Sequence, residues 1–253
     1  MTISKAKQTD NKLIVVVPLH NRPAFNLLEQ YSVDNLIKKA NTRKILFLAA
    51  NSMNKTYYSN RYPEVELLSF EDNFFESNNS SNKLFLNKQF YKLFESYDFM
   101  LVHHPDAFLV QDDLDDWMIQ NIDYIGAPIP EGVEVRVKIG KFFFGNGLTV
   151  KAFVGNGGFS LRHINKSISL MEEFAEIHEK WLLNSGREDL FFSIAGLLSS
   201  NYCIPNQLVA SRFSLELEGE KYFNFNDCKL PTGFHGWWKN DIDFYKNLVV
   251  KTS

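Results

Sequence analysis

Three continuous apolar runs constrain this chain most: Lys12–Pro18 (KLIVVVP), Lys44–Ala49 (KILFLA) and Phe99–His103 (FMLVH). None alternates polar with apolar residues, so each reads as a strand buried on both faces rather than a half-exposed antiparallel one. Between the first two, Phe25–Ala40 carries Leu28, Tyr31, Leu36 and Ile37 at helical spacing. The chain therefore opens β-α-β. Val65–Phe70 reads as a third strand and Glu71–Asn82, rich in Asn and Ser, as a loop. Lys83–Ser96 reads as a helix with a stripe of Leu84, Phe90, Tyr91 and Phe94 that leads into Phe99–His103. Strands and helices alternating at this spacing predict an α/β fold with a mostly parallel central sheet flanked by helices. In such sheets ligands sit at the carboxyl ends of strands, here near His20 and Asp106.

Further along, Asp112–Gln120 reads as a short helix with Asp112 or Asp113 as its N-cap, and Asp123–Ala127 as a strand at a sheet edge. Glu131–Lys151 is loose and glycine-bearing, and FFFGNG (142–147) echoes FVGNGG (153–158) too briefly to make a repeat. His163–Leu183 and Glu188–Leu198 read as helices. A chain of 253 residues, 45% hydrophobic, suits one large domain, and no Pro-, Gly- or Ser-rich linker divides it. The expected organisation is a polar tail over residues 1–11, one domain over 12–240 and a C-terminal tail over 241–253. The run Leu13–Leu19 is too short to span a bilayer, and no other stretch approaches that length. A formal charge of -3 gives no electrostatic reason to expect a nucleic-acid partner. Two cysteines, Cys203 and Cys228, lack the spacing of a zinc site or a disulfide framework, which makes a reducing cytoplasm the simplest location. The 23 phenylalanines and 10 tyrosines belong either to the core or to a cleft that stacks on a base or sugar.

An ordered set of segments carries a family resemblance: Tyr97–Val110 (YDFMLVHHPDAFLV), Asp123–Pro128 (DYIGAP), Val154–Arg162 (VGNGGFSLR), Arg187–Ser193 (REDLFFS), Ala210–Glu216 (ASRFSLE) and Gly233–Trp238 (GFHGWW). Over Leu13–Trp238 the chain resembles a largely uncharacterised family of glycosyltransferase-like domains similar to GT-A-fold transferases. The resemblance implies a Rossmann-like sheet that binds a nucleotide-diphosphate sugar, usually with a divalent metal, Mn²⁺ or Mg²⁺. It implies sugar transfer to a hydroxyl acceptor in glycan or surface polysaccharide biosynthesis. By family analogy the acceptor is a glycan or lipid-linked, with peripheral contact at the inner face of the membrane.

The same resemblance assigns roles residue by residue. A metal-binding Asp-X-Asp is common after the fourth strand of such folds, and this chain has His104-Pro105-Asp106 there. The second carboxylate is kept and the first becomes an imidazole, which suits Mn²⁺ better than Mg²⁺. The plain alternative is that Asp106 caps a turn after Pro105 and His104 is packed. Asp189, with Glu188 beside it, matches the acidic base of inverting enzymes; alternatively both favour a helix N-terminus. Asn156, Gly157 and Gly158 form a turn that lets backbone approach a donor sugar, or a hairpin turn. His235 matches a late metal-binding histidine that would complete the set begun by Asp106 and His104, or is a core residue. Trp237 and Trp238 stack on a sugar or anchor the packing. Pro18, His20, Asn21 and Arg22 follow the first strand where such folds contact the nucleotide, Arg22 meeting phosphate. Two rivals share the fold: a retaining transferase, and a non-catalytic carbohydrate-binding domain.

Overall fold

The computed structural model describes residues 12–137 and 147–252. Strand β1 (Leu13–Pro18) is buried throughout. It is followed by α1 (Leu27–Lys39), β2 (Lys44–Ala50), α2 (Thr56–Arg61) and β3 (Glu66–Phe70). Helix α1 starts where it does because Asn26 forms a capping box: its Oδ1 accepts from the N–H groups of Leu28 and Glu29, and the Glu29 carboxylate accepts from the Asn26 N–H.

The next segment departs from expectation. Asp72–Phe74 is a 3-10 turn, and α3 (Asn78–Phe85) begins inside the stretch expected as a loop. The expected helix Lys83–Ser96 is divided, with α4 (Lys88–Lys92) starting afresh after Asn87. Short polar side chains cause both differences. Ser77 caps α3 by accepting from the Ser80 N–H, and Asn87 caps α4 by accepting from the Gln89 N–H at 2.9 Å.

Strand β4 (Phe99–His103) then runs parallel to β1. It is followed by β5 (Ala107–Leu109), α5 (Leu114–Met118), β6 (Tyr124–Ile125), β7 (Ala127–Val137), β8 (Leu148–Gly155) and β9 (Phe159–His163). The central sheet has the order β3-β2-β1-β4-β9-β6. Its first four strands are parallel, while β9 is antiparallel to both β4 and β6. The order reverses between β1 and β4, which opens a crevice at their carboxyl ends. Of the loose segment expected over Glu131–Lys151, the described residues 131–137 and 148–151 belong to the antiparallel pair β7–β8. Val133, Val135 and Val137 alternate with Glu134 and Arg136, a strand pattern interrupted by the irregularity between Pro128 and Val133. Most of the FFFGNG echo lies outside the described residues.

The remaining elements are α6 (Ile164–Glu173), α7 (Ala175–Leu183), α8 (Glu188–Leu198), α9 (Gln207–Phe213), β10 (Ser214–Leu215), α10 (Gly219–Phe225), β11 (Gly233–His235) and α11 (Ile242–Thr252). The helix expected over His163–Leu183 breaks at Phe174, and α8 matches its expected range. Strands β10, β11 and β5 make a small second sheet. Around it lies a second apolar cluster that includes Phe108, Phe234, Trp237, Tyr245 and Leu248, with Phe108 and Phe234 stacked at 5.3 Å. No helix among the described residues is long and apolar enough to cross a membrane.

The segment expected as a C-terminal tail is therefore helix α11, with Tyr245, Leu248 and Val249 buried in the second cluster. The Tyr245 hydroxyl donates to the Glu216 carbonyl at 2.7 Å, and Lys39 Nζ donates to the carbonyls of Val110 and Thr252. Leu248→Ala is expected to destabilise the protein by about 2–5 kcal/mol in urea unfolding, as for a buried leucine. An effect within about 0.5 kcal/mol would mark residues 242–252 as a dispensable tail.

Candidate active site

The crevice between β1 and β4 holds a cleft of about 210 Å³ lined by His20, Arg22, Glu29, His104, Pro105, Asp106, His235 and Lys239. After β1 the chain turns through His20 and Asn21, both left-handed at φ 48, a region asparagine and histidine enter more readily than most residues. Arg22 forms an ion pair with Glu29, and Tyr58 donates to the Arg22 carbonyl at 2.9 Å. Two expected contacts are corrected. Pro18 is a buried member of β1 paired with Leu48, and Asn21 is exposed; neither is among the lining residues.

Asp106 sits at the start of the tight turn that leaves β4, where the Ala107 N–H donates to the His104 carbonyl. Its carboxylate is nearly buried and has two cationic partners. His235 Nε2 lies 3.1 Å from Oδ1, and Lys239 Nζ donates to Oδ2 at 2.5 Å. The other ring nitrogen of His235 is 2.9 Å from a Glu216 carboxylate oxygen. Burial works against a charged imidazole, but Asp106 and Glu216 outweigh it and raise the His235 pKa to about 10. Burial likewise opposes the Asp106 charge, and His235 and Lys239 reverse the balance and hold its pKa far below the usual carboxylate range. Burial, reinforced by His20 and His235, keeps the His104 pKa well below its ordinary value, so this ring is neutral with a lone pair available.

His104, Asp106 and His235 each offer one ligand atom, and these atoms lie within 4.8 Å of one another. Two imidazole nitrogens and a carboxylate oxygen fit a divalent ion that accepts nitrogen ligands. In such a complex His235 must give up its Nε2 proton.

The turn Asn156–Gly158, between β8 and β9, joins this cleft to the start of α8. The Gly158 carbonyl accepts from the His104 N–H at 2.7 Å, and the Asn156 N–H donates to Asp189 Oδ2 at 2.9 Å. A Cβ on Gly158 would lie 2.2 Å from His235 Nε2, and one on Gly157 would lie 1.8 Å from a Glu188 carboxylate oxygen. A side chain at either position would have to displace the residue it faces. Asn156 is left-handed at φ 66 and nearly buried; its Oδ1 accepts from the Gly158 N–H, and its Nδ2 has no hydrogen-bond partner among the described residues. An unpaired buried amide donor suits a ligand oxygen.

The acidic pair at the start of α8 divides. Asp189 faces the turn and also accepts from Arg187 Nε at 3.1 Å and Nη2 at 2.5 Å. Glu188, expected beside it as a catalytic carboxylate, instead points inward and pairs with Arg162 at 2.8 Å. Burial raises the Glu188 pKa, opposed by the Arg162 charge. Consecutive helix residues project about 100° apart, so one side chain meets the Asn156 N–H and the other Arg162. Trp237 is also corrected: it is buried in the second cluster with its indole N–H donated to Ser32, which removes it from any sugar-stacking role. Trp238 is half-buried, edge-on to Trp237 at 5.1 Å.

Three residues of the site carried no role in the sequence reading. Lys239 follows the tryptophan pair, Glu216 ends ASRFSLE, and Arg162 ends VGNGGFSLR. Only Arg162 had a local signal, because a charge inside an otherwise buried strand requires a partner.

The family described as "Protein of unknown function (DUF5672)" matches residues 64–235. The chain belongs to this family. No curated protein matches the chain. Solved structures with a similar fold include the WbbM bifunctional glycosyltransferase, with TM-score 0.54 and 15% identity over 96% of this chain and 50% of that one. Mouse xyloside xylosyltransferase 1 has TM-score 0.51 and 11% identity over 89% of this chain and 97% of that one. The galactosyltransferase LgtC, solved with donor and acceptor sugar analogs, has TM-score 0.50 and 12% identity over 95% and 96%. At these identities the likeness is one of fold, and the chain has the GT-A fold of these glycosyltransferases. It spans half the length of WbbM.

In metal-free protein the His235 ring is expected to stay protonated through neutral pH and to titrate at about 10, read by NMR of its ring protons. In Gly158→Ala the new methyl displaces the ring from Asp106, and the midpoint falls toward the ordinary 6.5. An unchanged midpoint would mean that Gly158 does not hold His235 in place.

Proposed function

We propose that this protein is a glycosyltransferase that moves a sugar from a nucleotide-diphosphate sugar to a hydroxyl group of a glycan or lipid-linked acceptor. The observation that carries the reading is the meeting of His104, Asp106 and His235 in one cleft at the strand-order reversal, with Arg22 and Lys239 beside them. A diphosphate concentrates negative charge, and two basic side chains together with a metal-ligand set match that charge. Mn²⁺, bound by His104, Asp106 and His235, would neutralise the departing nucleoside diphosphate. Lys239 and Arg22 bind the phosphates, His20 borders the nucleotide, and Asn156 Nδ2 donates to a sugar hydroxyl.

Asp189 takes the proton from the acceptor hydroxyl as that oxygen attacks the anomeric carbon, which inverts the anomeric centre. Its partner Arg187 is 57% exposed in its side chain and so is free to swing away when the acceptor arrives. Beyond Arg187 lies a groove of about 550 Å³ lined by Trp181, Ile177, Arg136 and Lys180, and the Trp181 N–H donates to the Arg187 carbonyl. An aromatic surface this close to the base suits the rest of an acceptor glycan. One observation favours a retaining reaction instead: the Asp189 carboxylate already accepts from Arg187 and from the Asn156 N–H, so it is occupied before an acceptor hydroxyl arrives.

Thermal unfolding of the protein with nucleotide diphosphates and nucleotide sugars, with and without Mn²⁺ or Mg²⁺, tests the donor site. One nucleotide family is expected to stabilise the protein, by about 2.7 kcal/mol at a hundredfold excess over Kd, more strongly with Mn²⁺. The effect should vanish in Asp106→Ala. Silence from every nucleotide under every metal condition would instead favour a carbohydrate-binding domain on this fold. With the donor known, Asp189→Asn is expected to lower kcat about 10²–10⁴-fold. Retention of most activity would favour the retaining reaction.

A further inference from the structure

The geometry points to Arg162 as a positioning residue that holds the Asn156–Gly158 turn in register with both halves of the site, with Glu188 as its buried counter-ion. This goes beyond the proposed transferase reading but takes its functional consequence from it.

Arg162 lies on β9 and is fully buried. Its Nε donates to Ser160 Oγ at 3.1 Å and its Nη1 to the Tyr91 hydroxyl at 3.1 Å. Its Nη2 donates to Glu188 at 2.8 Å and to the Gly157 carbonyl at 3.4 Å. The rings of Phe85, Phe192 and Tyr124 surround the guanidinium carbon at 5.1, 5.3 and 5.6 Å. A buried ion pair is costly to desolvate, and apolar residues of similar volume commonly give equal or better stability at such a site. Stability therefore does not by itself account for this arginine. The direction of its polar contacts does.

Those contacts converge on the turn from beneath. Gly157 O accepts from Arg162 and from Ser160 Oγ, itself held by Arg162 Nε, and the Gly157 Cα rests against the Glu188 carboxylate. With this carbonyl turned inward, the flanking groups are committed to the site: Asn156 N–H to Asp189, and Gly158 O to the His104 N–H. One buried fork thus sets the spacing between the candidate base and the candidate metal ligands. Lysine cannot reproduce the fork, because one ammonium does not reach Ser160, Tyr91, Glu188 and Gly157 together.

The test uses Arg162→Met and Arg162→Lys. It adds the double variant Arg162→Met/Glu188→Gln, which removes both charges of the pair and keeps the experiment open if the single variant does not fold. Amide hydrogen exchange is read by NMR without any ligand. In a folded variant the Asn156 and His104 amides should exchange at least about tenfold faster, while the Val16 and Leu101 amides in the central sheet stay within about twofold of wild type. Arg162→Lys should fall between wild type and Arg162→Met. Unchanged exchange at Asn156 and His104 in the folded double variant overturns the assignment and leaves Arg162 a packing residue. Affinity for a nucleoside diphosphate with Mn²⁺, measured well below the unfolding temperature, should fall about tenfold in the same variants. If wild type binds no nucleoside diphosphate, the transferase reading fails, while the exchange data still decide the role of Arg162.

Discussion

The site depends on β4 being parallel to one neighbour and antiparallel to the other. Its parallel pairing with β1 brings the loop after β1, with His20 and Arg22, to the same end of the sheet as His104 and Asp106. Its antiparallel pairing with β9 sets Phe159 opposite His103, so the start of β9 meets the end of β4. That is why the Gly158 carbonyl receives the His104 N–H and why the turn before β9 can also reach α8. Had β9 run parallel to β4, this turn would lie at the opposite end of the strands.

Asp106, Asp189 and Glu188 each have a cation, and solvent access separates the three pairs. Asp106 is held by Lys239 and Asp189 by Arg187, whose side chains are 58% and 57% exposed, whereas Arg162 beside Glu188 is 0% exposed. In the first two pairs the cation reaches solvent while the carboxylate stays buried, so each is only half exposed. Removing one member of a buried pair strands the other charge, which makes the Arg162–Glu188 pair a fixed part of the frame. His235 has a third arrangement, gripped by Asp106 and Glu216, and Glu216 is in turn tethered through its carbonyl to Tyr245 of α11. Helix α11 thereby reaches the metal-ligand set through two hydrogen bonds.

The abundance of aromatic residues resolves in favour of packing. Phe25, Phe47, Tyr57, Tyr58 and Tyr62 pack edge-to-face beneath the first strands, and Phe108, Phe234 and Trp237 build the second cluster. The described lining of the Asp106 cleft contains no Phe, Tyr or Trp. Its rings are the imidazoles of His20, His104 and His235, with centroids spaced 5.0 and 5.5 Å apart. Charge and coordination, rather than stacking, are what this cleft offers a ligand.

Local pattern was sufficient for the elements whose identity is set by their own residues. The runs at β1, β2 and β4 and the acidic start of α8 were legible because burial on both faces and helix-end electrostatics act within a few residues. The segments 71–96 and, within the described residues, 131–137 and 148–151 depart from local expectation because caps at Ser77 and Asn87 and an irregularity in β7 override the average propensity of their neighbours. The resemblance selected Asp106, His104, His235 and Asp189 without their partners. Tertiary structure alone decided that Glu188 turns to Arg162, that Trp237 is buried, and that Lys239 and Glu216 join the cleft. Those outcomes depend on contacts between residues 19 to 205 positions apart, where sheet pairing and helix packing determine the neighbours. The one-dimensional sequence determined which groups were present, and the antiparallel insertion of β9 beside β4 determined which of them meet.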